Sequence, residues 1–390
     1  GRDGRRCDLG VRVAIDGLPL GSGQGGDETM LKGFLTGLSV AAGPGDEFPI
    51  FLSSGGEVPE SVATDPRFPV VRSFRRFHGI THYSTRLPAE LAVHARRQPL
   101  DLVFSANNSP VWAPCPRALM VQDLSFMHYP AYYPPRKYRM LMEIVPRLAK
   151  VARVVLTVSE HAAHDLTEAL GVPEDRVFVT PNMIQTPPPF TDDDERRGRD
   201  WLKGHGITGP FLLYLGNLHR RKNVVRTVRA VIEAKQNPPE LADHLMAIAG
   251  AAWWGSEAEH EAEAEASAGS VVYLGRVDDW QREVILHRAS ALSYISIFEG
   301  FGLPPLEAMA RGTPVITSDT TSLPEVVGDA ALMVDPFDEH AMADGITRIL
   351  TDTGLRDELI TLGRPQAAKF TAERTGAAAM RAFHAALNGS

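Results

Sequence analysis

Ile297-Phe-Glu-Gly-Phe-Gly-Leu-Pro-Pro-Leu-Glu-Ala-Met-Ala-Arg-Gly312 is the stretch whose reading decides the fold. Ahead of it, Ala291-Leu-Ser-Tyr-Ile-Ser-Ile297 is short, apolar and bounded, which predicts a buried strand. After Gly302 come two prolines and Leu306-Glu-Ala-Met-Ala, a helix start, because proline's missing N–H has no partner in a first turn anyway. Gly312 is a C-terminal stop, and Thr313-Pro-Val-Ile-Thr-Ser318 predicts the next strand. Glu299 to Leu303 therefore form a loop where a strand ends and a helix begins.

Such a loop suits an anion, since unpaired backbone N–H groups and the positive end of the helix dipole both point out of it. Gly300 and Gly302 allow a ligand close to the main chain. Glu299 and Glu307, eight positions apart, frame the loop; carboxylates repel phosphate but accept several strong hydrogen bonds from sugar hydroxyls. The pattern asks for phosphate in the middle and hydroxyls on both sides, as in a nucleotide-sugar.

This spacing of glutamates around Gly-Phe-Gly-Leu-Pro resembles the donor-site motif of retaining glycosyltransferases of family 4. The match continues through Gly312-Thr-Pro-Val-Ile-Thr-Ser-Asp319 and Ser322-Leu-Pro-Glu325. The resemblance, mannosyltransferase-like in kind, implies the α/β GT-B fold: two Rossmann-like domains facing across a cleft.

Composition sets bounds. A chain of 390 residues, 44% hydrophobic, can bury two cores. Its net charge of −8 leaves no nucleic-acid footprint. Cys7 and Cys115 are far apart and lack metal-ligand spacing, which argues against a disulfide or zinc scaffold and is compatible with a reducing cytoplasm. No apolar run is long enough to cross a bilayer. Residues 1–10 are polar and read as a leader or expression remnant.

The alternation of strands and helices predicts parallel sheets with ligands at the carboxyl ends of the strands. Strands are expected at 11–16, 48–52, 102–105, 118–121 and 154–158, then at 211–215, 245–249, 271–274 and 331–334 besides the two around the opening motif. Asp27 and Glu28 open a helical pattern, residues 160–170 form a helix capped by Ser159, and the Glu/Ala-rich residues 256–267 read as an exposed helix. Thr180 to Phe190, with three consecutive prolines, marks a stiff boundary followed by solvated acids. The expected organisation is thus 11–185 as an acceptor domain, 186–200 as a Pro/acid-rich linker and 201–365 as a donor domain. The helical tail 366–390 is expected, by resemblance, to return to the first domain, and the site to lie in the cleft between the halves.

Residues 72–86 interleave Arg72, Arg75, Arg76 and Arg86 with aromatic and histidine side chains. An acceptor-binding or membrane-surface loop and a partly solvated structural segment both fit, and the sequence leaves them open.

Arg221 and Lys222 follow a strand and a glycine turn, so they are placed to neutralise a diphosphate. The run Gly216-Asn-Leu-His-Arg-Arg-Lys-Asn223 resembles the family's Gly-x-x-x-x-Arg-Lys-Asn. The resemblance assigns further roles: Glu307 to ribose hydroxyls, Glu299 to the transferred sugar, and Phe301, Gly302 and Leu303 amides to sugar and phosphate. It also assigns Arg276 and Val277 to the nucleobase, Thr321 to phosphate or sugar, and Gly25 and Gly26 to the donor diphosphate and the acceptor. The family commonly has His-Asp where this chain has Gln122-Asp123. Glutamine cannot shuttle protons, but it can hydrogen-bond a sugar hydroxyl.

The implied activity is a retaining hexosyl or deoxyhexosyl transfer from a nucleoside-diphosphate sugar to a hydroxyl acceptor (saccharide, lipid-linked or small-molecule), with neither metal nor cofactor. A nucleotide-sugar-binding protein without catalysis and a GT-B phosphorylase are the alternatives. A cytoplasmic location, at the inner membrane face if residues 72–86 contact lipid, goes with this reading. Sugar, base, acceptor and oligomeric state are not encoded in any of these motifs.

Overall fold

The computed structural model describes residues 10–21, 25–72, 81–236, 238–251 and 269–388. The helix expected over 256–267 lies outside the described residues, as do residues 73–80 of the Arg/aromatic stretch. The chain forms two compact units. The first comprises residues up to Leu124, Arg139–Met183 and the chain from Phe370 onward; the second comprises Ser125–Tyr138 and Ile184–Lys369.

The first unit carries a seven-stranded parallel sheet in the order β3-β2-β1-β4-β5-β6-β7. Its strands are β1 (Val13–Asp16), β2 (Ile50–Leu52), β3 (Val70–Arg72), β4 (Leu102–Ala106), β5 (Arg117–Met120), β6 (Val154–Thr157) and β7 (Val177–Val179). The central strands β1 and β4 are buried on both faces, as mainly apolar parallel strands are, with Asp16 and Ser105 buried among them. The sequence reading did not include β3 and β7. Each is a three-residue edge strand whose residues are not fully buried, too short to show a period.

The helix Gly25–Ala41 packs on this sheet and on the last helix, Ala372–Asn388. Their approach requires glycines: a Cβ on Gly376 would lie 1.9 Å from the Gly37 carbonyl oxygen. Phe383 from the last helix is fully buried, edge-on to Phe34 and Phe104, which stack on each other at 4.4 Å. Thr375 Oγ1 donates to the Pro181 carbonyl at 2.7 Å, tying the same helix to the segment after β7. Residues 366–367 finish the preceding helix, Thr353–Ala367, which includes Pro365.

The second unit carries a six-stranded parallel sheet in the order β10-β9-β8-β11-β12-β13. The strands are β8 (Phe211–Leu215), β9 (Leu245–Ala249), β10 (Val271–Gly275), β11 (Ala291–Tyr294), β12 (Val315–Ser318) and β13 (Leu332–Val334). Residues 192–200, read from sequence as linker, are helical in the structure. They open the helix Asp192–Gly204, where Thr191 and Asp194 form a reciprocal cap. The helix 160–170 is likewise capped by Ser159, whose Oγ accepts from Ala162 N at 3.1 Å.

Among the described residues no helix is long and apolar enough to cross a membrane.

Candidate active site

After β11 the chain runs buried to Phe301 and turns at Gly302, where φ is +103°. A side chain there would meet Leu323 at 2.6 Å, so glycine is needed for both the turn and the contact. The helix Leu303–Arg311 follows, with prolines in its first turn and Gly312 at its left-handed end. The loop after β12 braces this turn. Ser322 Oγ bonds the carbonyls of Glu299 and Phe301, both at 3.0 Å, and Thr321 Oγ1 accepts from Glu299 N at 3.1 Å.

From the other side comes the turn after β8. His219 Nδ1 caps it by accepting from Arg221 N, and Ile297 N donates to the Arg221 carbonyl at 2.8 Å. Asn223 ends the turn in a left-handed conformation, its Nδ2 donating to the Pro336 carbonyl at 2.7 Å. These backbone ties bring three charged side chains together. Lys222 Nζ donates to Glu299 Oε1 at 2.6 Å and to the Tyr294 hydroxyl at 2.7 Å. Arg221 donates to Glu299 Oε2 at 3.1 Å and to the Phe298 carbonyl at 2.8 Å.

Burial alone would push the Glu299 carboxyl up; Lys222 and Arg221 outweigh it and hold the group down at about 2. The Tyr294 hydroxyl is pushed well above its ordinary range by burial and by the Glu299 charge. Glu299 is therefore ionised, Tyr294 neutral, and two cations face one carboxylate. Two fixed cations beside the start of a helix suit an anion.

Glu307 sits on the helix behind the loop. One of its carboxylate oxygens pairs with Arg282 from the helix Asp279–Arg288, while Oε2 is buried with no hydrogen-bond partner among the described residues. Leaving such an acceptor unmet costs about 1–3 kcal/mol, so a hydroxyl-bearing ligand would relieve a standing deficit. The turn bearing Arg276 and Val277 leads straight into the Arg282 helix, through Asp278, which caps it by accepting from Gln281 N at 2.8 Å.

Sequence reasoning assigned Glu299 to sugar and the two cations to phosphate; the structure joins all three in one ion-paired cluster. Thr321 and Phe301 lie against the same loop, and Leu303 opens the helix that follows it. The sequence reading missed Tyr294, although a phenol inside an otherwise apolar strand was its signal. It also missed Arg282 and the segment Ser125–Tyr138, for which no local signal exists. His128 stacks on Phe298 at 5.3 Å, Tyr129 stands edge-on to the same ring, and Tyr133 leans on His219 at 5.2 Å.

The remaining expected residues lie in the first unit. Gly25 and Gly26 are not a loop but the exposed first turn of the helix Gly25–Ala41, which begins two residues before Asp27; among the described residues, the adjoining turn of the helix apart, no heavy atom lies within 4 Å of where a Cβ would stand on either. Gln122 and Asp123 follow β5 and are half-buried. Gln122 Nε2 donates to Asp27 Oδ1 at 2.7 Å, and Asn107 Nδ2 donates to the same oxygen at 3.0 Å. The described part of the Arg/aromatic stretch is mixed: Arg72 is exposed, whereas His82 is fully buried against Asp16 at 3.0 Å and Arg86 donates to Ser53 Oγ and the Leu52 carbonyl. Arg86 can only donate, so His82 Nδ1 is the acceptor between them and the ring proton sits on Nε2, facing Asp16.

Among the described residues no group of three or more histidine, cysteine or acidic side chains is arranged to hold a metal ion.

Two family patterns match: "Glycosyl transferases group 1" over residues 200–366 and "Glycosyltransferase Family 4" over residues 43–186. The chain is similar to the O-antigen chain mannosyltransferase B of Escherichia coli, 29% identical over 265 residues, 67% of this chain and 68% of that protein. It is 26% identical over 61% of its length to the serotype-specific mannosyltransferase WbdA of Escherichia coli, of which it matches only 29%. Among solved structures, sucrose-phosphate synthase from Thermosynechococcus elongatus superposes with a TM-score of 0.73 at 19% identity, over 97% of this chain and 100% of that one. HepE of Anabaena, solved with UDP and glucose, superposes with a TM-score of 0.69 at 16% identity, over 95% and 98%. These likenesses extend over both sheets, and both patterns fall in one chain: the protein belongs to the family 4 glycosyltransferases and has their GT-B fold.

Proposed function

We propose that this glycosyltransferase moves a hexose or deoxyhexose from a nucleoside-diphosphate sugar to a hydroxyl acceptor, with retention of configuration and without a metal. The observation that carries the reading is the Glu299–Arg221–Lys222 cluster at the start of the helix Leu303–Arg311. It sets two cations, Lys222 buried and Arg221 partly so, on one carboxylate beside the helix amides. As the glycosidic bond breaks, negative charge grows on the departing diphosphate. Groups already fixed in place stabilise that charge without reorganising. In this reading the two cations supply what a metal otherwise would. The unmet Oε2 of Glu307 suits the ribose hydroxyls at the other end of the donor. HepE, captured with UDP and glucose, supports a donor of this class, and the mannosyltransferase relatives make mannose the first sugar to try.

Thermal-shift measurements with GDP-, UDP-, dTDP- and ADP-sugars test the donor: a ligand at a hundred times its Kd raises stability by about 2.7 kcal/mol. The expected result is stabilisation by one donor class, lost in Arg221→Ala, followed by acceptor-dependent nucleotide release that persists in EDTA. Donor stabilisation without acceptor-dependent release would favour a binding protein instead. An inverted anomer in the product, or abolition by EDTA, would overturn the finer reading.

A further inference from the structure

The carboxyl end of the first sheet carries a polar arrangement that the proposed chemistry leaves unused. Asp27, in the first turn of the helix Gly25–Ala41, receives two amide groups on one carboxylate oxygen: Gln122 from the end of β5 and Asn107 from the end of β4. A carboxylate only accepts, so both side chains must turn nitrogen toward Asp27, and the choice of amide orientation is fixed by chemistry. The other arm of each amide is a carbonyl oxygen. Neither Gln122 Oε1 nor Asn107 Oδ1 has a hydrogen-bond partner among the described residues, and both side chains are half-exposed. Asn107 is also held in a left-handed backbone conformation, φ +57°, by its N–H bond to the Met120 carbonyl at 2.8 Å.

We infer that Asp27 is a positioning residue that presents the Gln122 and Asn107 carbonyls as a paired acceptor for the hydroxyls of a saccharide ring. Two carbonyl dipoles beside a carboxylate repel phosphate and favour O–H donors, the opposite preference to that of the Arg221–Lys222 cluster. Orientation is the point. An unrestrained glutamine offers nitrogen or oxygen equally, whereas this one offers oxygen only. The inference rests on the sugar-transfer reading, and the saccharide is either the donor's sugar or the acceptor.

The test pairs Gln122→Leu with monodeoxy analogues of both substrates. On the full sugar, Gln122→Leu should cost about tenfold in kcat/KM, the loss of one hydrogen bond. On the one analogue lacking the partnered hydroxyl it should cost nothing further. A cost that vanishes within the deoxy-donor series assigns the subsite to the transferred sugar, and within the deoxy-acceptor series to the acceptor. A polarity swap gives the second readout. Gln122→Glu should lose at least about tenfold through repulsion by Asp27, and adding Asp27→Asn should restore activity to within about threefold, since the amide introduced by that change can donate to the new carboxylate. A cost unchanged across both deoxy series, or a swap that restores the unfolding temperature but not activity, would overturn the subsite. Thermal stabilisation by the nucleoside diphosphate alone reports the donor reading separately. If the parent keeps it while the deoxy series are flat, only the subsite fails; if the parent lacks it, both fail.

Discussion

The two sheets end in clusters built on opposite principles. At the carboxyl end of the second sheet, Glu299, Arg221 and Lys222 are charged and ion-paired, the first two of opposite sign and, like Lys222, largely withdrawn from water, and they come from two loops bound by backbone hydrogen bonds. At the carboxyl end of the first, Asp27, Asn107 and Gln122 are half-exposed, carry one charge, and leave two carbonyls unpaired among the described residues. A buried ion cluster is stable only when complete, because removing one member strands the others in low dielectric. A half-exposed amide pair loses little when a member goes, since water takes its place. The first is built to hold charge and the second to choose among neutral hydroxyls, so substitutions should hurt them in different ways.

The largest effect is expected from Lys222→Met. It removes a cation from the leaving-group side and leaves Glu299 with Arg221 alone. We expect kcat to fall by about 10²–10³, measured as acceptor-dependent nucleotide release. A loss below about tenfold would mean that the cluster is structural.

Next is Glu299→Gln, read through pH. The Glu299 carboxyl is held at about 2 against an ordinary value of 4.5, so its ionised form stabilises the fold above about pH 4.5, and that contribution drains away as pH falls toward 2. The wild type should lose stability on the order of a few kcal/mol across that window from this group. In the glutamine variant the profile should be flatter there and lower at neutral pH, by chemical denaturation. An unchanged slope would sink the assignment.

Tyr294→Phe is milder. It deletes a neutral hydroxyl that orients Lys222 while the Glu299 contact remains, so about a tenfold fall in kcat is expected with stability changed by about 1 kcal/mol. If KM moved and kcat did not, Tyr294 would act on binding rather than on the developing charge.

The same contrast explains what could be read from the sequence. The second cluster was legible because its parts are local: the 299–307 loop and the Arg221-Lys222 pair each follow a strand recognisable by its apolar run, and glycines at 302 and 312 mark the helix between them. What escaped were partners supplied from a distance. Arg282 reaches Glu307 from another helix, and His128, Tyr129 and Tyr133 reach Phe298 and His219 from far upstream in the chain. No period or spacing encodes such contacts. Gln122 drew notice only as a departure from a family pattern, and Asp27 only as a helix opener; that the two meet follows from the order of β1, β4 and β5 in the sheet. Fold was legible through strand hydrophobicity, except for the short edge strands β3 and β7.

The smallest effect makes the sharpest test of the comparison, because one asparagine in a left-handed conformation belongs to each cluster or to the turn that carries it: Asn223 at φ +60°, ending the Arg221–Lys222 turn, and Asn107 at φ +57°. Glycine accepts that conformation without a Cβ penalty, so Asn→Gly gives the same backbone relief at both positions, partly offset by unfolded-state entropy. The side chains differ. Asn223 is buried and its amide satisfies the Pro336 carbonyl, so Asn223→Gly strands an acceptor and should cost about 1–2 kcal/mol net. Asn107 is half-exposed and its partner Asp27 keeps Gln122, so Asn107→Gly should leave stability within about 0.5 kcal/mol. Urea denaturation of the two variants side by side measures the difference. Equal losses would mean that the rim of the first sheet is as rigidly built as the buried cluster of the second, and the division into a charge-holding edge and a hydroxyl-choosing edge would fall.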